Sequence, residues 1–178
     1  MLGMGSEAAG VLAAIPAGLL LVAGGGKLIA GSPGSDAADS ALASWAVRPL
    51  GLAETVLAGA CLVRPSAILL AAAALLFAAF ALYTGARVAR GERGGCGCLW
   101  GDERLDPVHV AVDACLAVML AAAAVNPPGS LLPQLWQRPP VGLALALSVA
   151  ACVGCLVLVL RHLTDAMTAY RPQRAGSR

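Results

Sequence analysis

Charge is what this sequence has least of. Of its 178 residues, 12% are Asp, Glu, Lys or Arg, against roughly 25% in an ordinary soluble domain. The charge is missing in long runs rather than thinned evenly, which is how a chain reads when lipid is its solvent. Two soluble domains are thereby excluded in favour of one membrane bundle. Aromatic residues are scarce too, at 4%, so the apolar mass is Ala, Leu, Val and Gly. Side chains that small let helices approach closely, as they must where lipid competes for every large apolar contact. The first seven residues hold no Lys or Arg. A secretory signal needs a basic start and a cleavage site, so the first apolar run is read as a retained span. No lipidation motif is visible, and no nucleic-acid partner is expected.

What the chain does contain is five apolar runs, which predict an all-α, polytopic transmembrane helix bundle. The first covers residues 8–30 and carries Gly24-Gly25-Gly26-Lys27 near its end. A Gly/Ser/Pro/Asp loop follows over residues 31–40. The second run, 50–63, has fourteen residues and is short for a span; a helix starting near Ala43 makes it adequate. Arg64-Pro65 predicts a tight turn, because proline cannot continue a helix without losing a hydrogen bond. The third span is 66–86. The charged stretch after it leads through Cys96-Gly97-Cys98 to Asp106-Pro107, an N-cap with proline at the first helical position. The fourth span ends near Val125, before Asn126-Pro127-Pro128, and the fifth is 141–160.

Five spans put the two ends of the chain on opposite sides. One side holds two basic residues, Arg64 and Arg138, and the other holds the remaining ten of the twelve. The positive-inside rule then makes the second side, which carries the Cys-Gly-Cys loop, cytoplasmic. That assignment, in the plasma membrane, depends on the count of five.

Cys96 and Cys98 lie in a glycine-rich loop between two spans. Two thiols separated by one residue can close a small, strained disulfide, and strain makes a disulfide easier to reduce. Gly94, Gly95 and Gly97 permit the backbone angles such a ring needs. Arg87, Arg90 and Arg93 are close in sequence and would favour the reactive thiolate. Thiol–disulfide chemistry is the leading reading; incidental loop cysteines and half of a metal site are the alternatives. Metal is disfavoured, since His109 alone lies near enough in sequence to help, and no metal ligand is assigned. Of the other cysteines, Cys61, Cys152 and Cys155 read as small apolar residues. Cys115 reads the same way, and is also a relay candidate that could pass electrons onward from the loop pair. At 100° per residue it lies about 200° around the helix from Asp113.

A second constellation is charge within the apolar runs. Lys27, Glu54 and Asp113 all fall toward the side that carries Cys96 and Cys98. A charge at a helix centre costs about 2.5–3.5 kcal/mol on insertion scales, so such groups are normally paired or functional. Lys27 with Glu54 is the natural pair, as a structural clamp or a functional group. Asp106, His109 and Asp113 fall at i, i+3 and i+7, one face of helix four, where either a proton-handling or a merely interfacial role fits.

These residues resemble those of the MauE family, which is related to the DoxX-like membrane proteins. The resemblance rests on the Gly-rich segment with Lys-Leu over residues 24–28, on Leu52-Ala53-Glu54-Thr55, and on Cys96-Gly97-Cys98-Leu99-Trp100-Gly101. It implies a four-helix membrane core over residues 8–125, with the loop and fifth helix of 126–163 and the polar basic tail of 164–178 as additions. It further implies a role in methylamine utilisation, in which such proteins help make or transfer disulfides during maturation of methylamine dehydrogenase, beside a thioredoxin-like partner. Cys96 and Cys98 would then be the redox pair, and Lys27 and Glu54 the structural polar pair. Two departures stand out: the aromatic expected after the second Cys is Leu99, with Trp100 one later, and an arginine often found in helix four is absent.

The combined expectation is a membrane thiol–disulfide redox component in a lipid bilayer. With the loop in the cytoplasm, reducing power would come from cytosolic thiols. With the loop outside, oxidation of exported substrates follows, and a quinone becomes the candidate acceptor. The rival is a non-catalytic scaffold or small-solute permease, which would depend on Lys27, Glu54 or Asp113 rather than on the thiols. Helices with small faces could also bury against a second copy of the chain.

Overall fold

The computed structural model describes residues 6–30, 44–91, 107–129, 147 and 149–159. Helix α1 is Ser6–Ala30, α2 Ser44–Val63, α3 Ala67–Ala89 and α4 Pro107–Val125. A shorter apolar helix, α5, is Val149–Val159. Among the described residues there is no strand. Four segments, Ala9–Ile29, Ala46–Val63, Ala67–Ala89 and Pro107–Val125, have 18 to 23 residues and are apolar enough to span a bilayer, which takes about 20 residues at 1.5 Å each. The chain is a multi-pass, all-α membrane protein.

Local chemistry sets the helix ends. After α2 the N–H of Arg64 still bonds the Ala60 carbonyl, at 2.9 Å, and Pro65 then prevents continuation. Ser66 caps α3 from an extended conformation, accepting the Leu69 N–H on its hydroxyl at 3.3 Å, as N-cap serines do. At the other end Gly91 takes φ +74°, and its N–H reaches the Val88 carbonyl at 3.0 Å. A left-handed residue there closes the helix and suits glycine, which has no Cβ to clash. Pro107 occupies the first position of α4, where a missing N–H costs nothing.

Helix α2 begins at Ser44, beside the start near Ala43 that the length of a span asks for, and contains Pro49, so the polar approach belongs to the helix. One boundary differs from the sequence reading. Helix α3 runs to Ala89, past the expected stop at 86, because nothing breaks it before Gly91.

The closest pairings are α1 with α2 and α3 with α4; α1 also meets α4, and α2 touches α3 more lightly. Leu20, Leu70, Phe77, Leu116 and Leu120 form the centre of the core, filled in by Ala13, Ala17, Ala58, Ala73 and Ala123. Ile68, Leu75, Leu82, Val118 and Val125 face outward and are largely exposed. An apolar exterior of this kind belongs against lipid, where association relies on close fit rather than on escape from water. Helix α5 seats on α1 at Gly18: a Cβ built there would lie 3.2 Å from Val153 Cγ2 and 3.7 Å from Val149 Cγ1.

Candidate functional site

Among the described residues, the polar side chains buried in this bundle are Lys27, Glu54, Thr84, Arg87 and His109. Each belongs to the half of its helix nearer one end of the bundle, or, for Glu54, to the middle of its span. The opposite half is filled by Ala13, Ala17, Cys61, Leu70, Ala73, Leu120 and Ala123. In sequence, residues 92–106, with Cys96 and Cys98, lie between α3 and α4.

Lys27 and Glu54 meet. The Lys27 ammonium donates to Glu54 Oε1 at 2.5 Å, and both side chains are almost wholly enclosed. A lysine three residues from a helix end would ordinarily snorkel to the interface; this one turns inward. Glu54 sits deeper than the early position expected of it, with eight residues of the span Ala46–Val63 before it and nine after. The ammonium also lies over the Phe80 ring, 5.5 Å from its centroid, a contact worth about 0.5–2 kcal/mol. Helices α1, α2 and α3 thus converge on one cation.

Two glycines make the meeting possible. A Cβ at Gly24 would lie 2.7 Å from both the Gly51 carbonyl oxygen and Thr55 Oγ1, and 2.9 Å from Glu54 Cβ. A Cβ at Gly51 would lie 2.8 Å from Lys27 Cβ and 2.9 Å from the Gly24 carbonyl oxygen. The backbones therefore touch at the level of the ion pair, the close approach that small residues serve in membranes. Thr55 keeps its hydroxyl out of the way by donating to the Gly51 carbonyl at 2.7 Å. Gly24→Ala is expected to destabilise the protein by about 1–3 kcal/mol, the range for overpacking a tight contact. Gly25→Ala, which meets nothing within 4 Å, is the matched control, and thermal unfolding in detergent compares them.

On α3, Phe80, Thr84 and Arg87 are spaced i, i+4 and i+7 and share a face. Thr84 is fully buried, and its hydroxyl donates to the Phe80 carbonyl at 2.7 Å. Arg87 is buried in the last turn, its guanidinium 5.8 Å from the Tyr83 ring centroid. On α4, His109 is buried one turn before the half-buried Asp113, on the face continued by Leu116, Leu120 and Ala123. A Cβ at Gly85 would lie 3.5 Å from Val110 Cγ1, so Thr84 and His109 flank the level where α3 and α4 touch.

Sequence reasoning singled out Lys27, Glu54, His109 and Asp113 but not the buried Thr84, and it placed Arg87 in the loop. The i, i+4, i+7 spacing from Phe80 was the available signal. Cys96, Cys98 and Asp106 lie outside the described residues. Cys115 is exposed on the outer side of α4, Cys152 and Cys155 are exposed on α5, and Cys61 is buried in the core; all four are free thiols. Among the described residues no group of three or more His, Cys, Asp or Glu could hold a metal ion.

The family model described as methylamine utilisation protein MauE matches residues 6–126, the stretch from the start of α1 to just beyond α4. No curated protein and no solved structure matches the chain.

Proposed function

The chain belongs to the methylamine utilisation protein MauE family, and from that footing we propose that it is a membrane thiol–disulfide redox component. Its working pair is Cys96 and Cys98. The observation that supports the reading is the polar end of α3 and α4, which buries Arg87 and His109; in sequence the Cys-Gly-Cys motif lies between these two helices.

The exchange proceeds in two substitutions. One thiolate of the pair attacks a disulfide sulfur of a thioredoxin-like partner, forming a mixed disulfide and releasing one partner thiolate. The second thiolate of the pair then attacks its neighbour's sulfur. A Cys96–Cys98 disulfide closes and the second partner thiolate leaves. Two electrons have moved to the partner, whose thiolates take up protons according to their own acidity. The reverse sequence oxidises the partner. With the loop on the basic-rich, cytoplasmic side of the plasma membrane, cytosolic thiols restore the dithiol. Maturation of methylamine dehydrogenase, the setting the family resemblance implies, is where this exchange would be used.

Removing the second thiol should trap the intermediate. Cys96→Ser and Cys98→Ser, each mixed with an oxidised thioredoxin-like protein, are compared on non-reducing gels. One variant should accumulate a covalent complex that dithiothreitol dissolves. Absence of any complex from both variants would overturn the exchange mechanism.

A further inference from the structure

The ion pair between α1 and α2 does more than its position requires. Gly24 and Gly51 already bring the two backbones into contact, and close-packed apolar neighbours would hold that contact without burying charge. A buried pair is in general no more stabilising than apolar residues of similar volume, so a clamp alone does not account for it. The pair is also incompletely satisfied. An ionised carboxylate offers acceptor sites on both oxygens. Lys27 occupies Oε1, while Oε2 is buried and has no hydrogen-bond partner among the described residues. A bare, enclosed carboxylate oxygen wants a donor, and the smallest donor is a proton.

We propose that Glu54 is a proton-binding site inside the bundle, exchanging a proton at Oε2 while Lys27 stays on Oε1. The step is simple: the carboxylate gains one proton and becomes a neutral acid, and the interior gains one positive charge. The Phe80 ring face, 5.5 Å from the ammonium, suits that state, because an aromatic face attracts the cation whose counter-charge has been neutralised. Among the described residues, the other charged and titratable groups around this end are Arg48 on α2, Tyr83, Arg87 and the capping Arg90 on α3, and His109 and Asp113 on α4.

The route for the proton is one-sided. Thr84, Arg87 and His109 are buried between the level of Phe80 and the end that carries residues 92–106. Among the described residues, the other half of the interior is apolar and holds no buried polar side chain. The site therefore communicates with the side of the membrane that carries Cys96 and Cys98. This reading goes beyond the thiol chemistry and does not depend on it.

Infrared difference spectroscopy on the whole protein in lipid nanodiscs, titrated between acid and alkaline pH, reads the carboxyl carbonyl directly. The wild type should show a band in the region of acids shielded from water, growing as pH falls. Glu54→Asp should move that band, and Glu54→Gln, which keeps an oxygen for Lys27, should abolish it. A band that persists unchanged in both variants, or no titrating band in the wild type, would overturn the proposal. If Glu54→Gln fails to fold, the shift or constancy of the band in Glu54→Asp decides it.

Discussion

Truncating Glu54 to Ala should destabilise the protein by about 3–5 kcal/mol, the range for breaking a buried ion pair by removing one partner. The loss comes chiefly from what remains. Lys27 is 5% exposed, with its ammonium held among α1, α2 and α3, and among the described residues loss of the carboxylate leaves it the Phe80 ring. Lys27→Met should cost less than Glu54→Ala, because an abandoned carboxyl can neutralise itself by binding a proton whereas the ammonium must shed one. The informative variant is the double replacement, Lys27→Met with Glu54→Leu. Apolar residues of similar volume often replace buried pairs at little cost, so the double variant should recover most of the stability lost in Glu54→Ala. Unfolding midpoints in one detergent for Lys27→Met, Glu54→Leu and the two combined give the cycle. Strict additivity of the single losses would mean the two side chains do not act as a pair.

Cys96→Ser should reduce turnover of thiol–disulfide exchange to the rate of buffer alone. Serine fills the same space but forms no disulfide, so the closing step has no second sulfur. Cys98→Ser should do the same, which separates a working pair from one reactive thiol. Replacing Cys152 and Cys155 should leave exchange unchanged, since both lie on α5, outside residues 6–126 that match the family. Cys115 makes a finer test. If it relays electrons, Cys115→Ala should slow their onward passage while the exchange at Cys96 and Cys98 continues. A scaffold would tolerate loss of both loop cysteines with no change in any of these rates.

The fold was legible because lipid imposes a coarse rule. Each span must be long and apolar, and Asp106-Pro107, Arg64-Pro65 and the Gly-rich segments punctuate the runs. The start of α4 at Pro107 follows directly from that punctuation. The depth of Glu54 was harder to read. Residues 44–49 include Arg48 and Pro49, which look like a loop by composition, yet they form the opening turns of α2. The apolar run alone begins at Leu50 and puts Glu54 near an end; the length a span needs moves the start back to about Ala43. Lys27 and Glu54 stood out because each is a single charge in an apolar run. Thr84 did not, because a threonine can satisfy its own hydroxyl on the preceding turn, as it does on Phe80, and so looks unremarkable in any helix. Arg87 was assigned to the loop because arginine clusters usually mark interfaces. Its burial follows from one added turn of α3, stopped by Gly91. The Gly24–Gly51 contact needs two helices to be seen together, and no single segment announces it.

The most direct test of the central claim is the redox state of Cys96 and Cys98 in the cell. In a variant with Cys61, Cys115, Cys152 and Cys155 replaced by Ala, a membrane-impermeant thiol reagent is applied to intact cells and then to lysates, before and after reduction. The account predicts no labelling in intact cells, and in lysates two thiols per chain that disappear when an oxidised thioredoxin-like protein is added and return on reduction. Two thiols that stay free after that oxidised partner is added would contradict it.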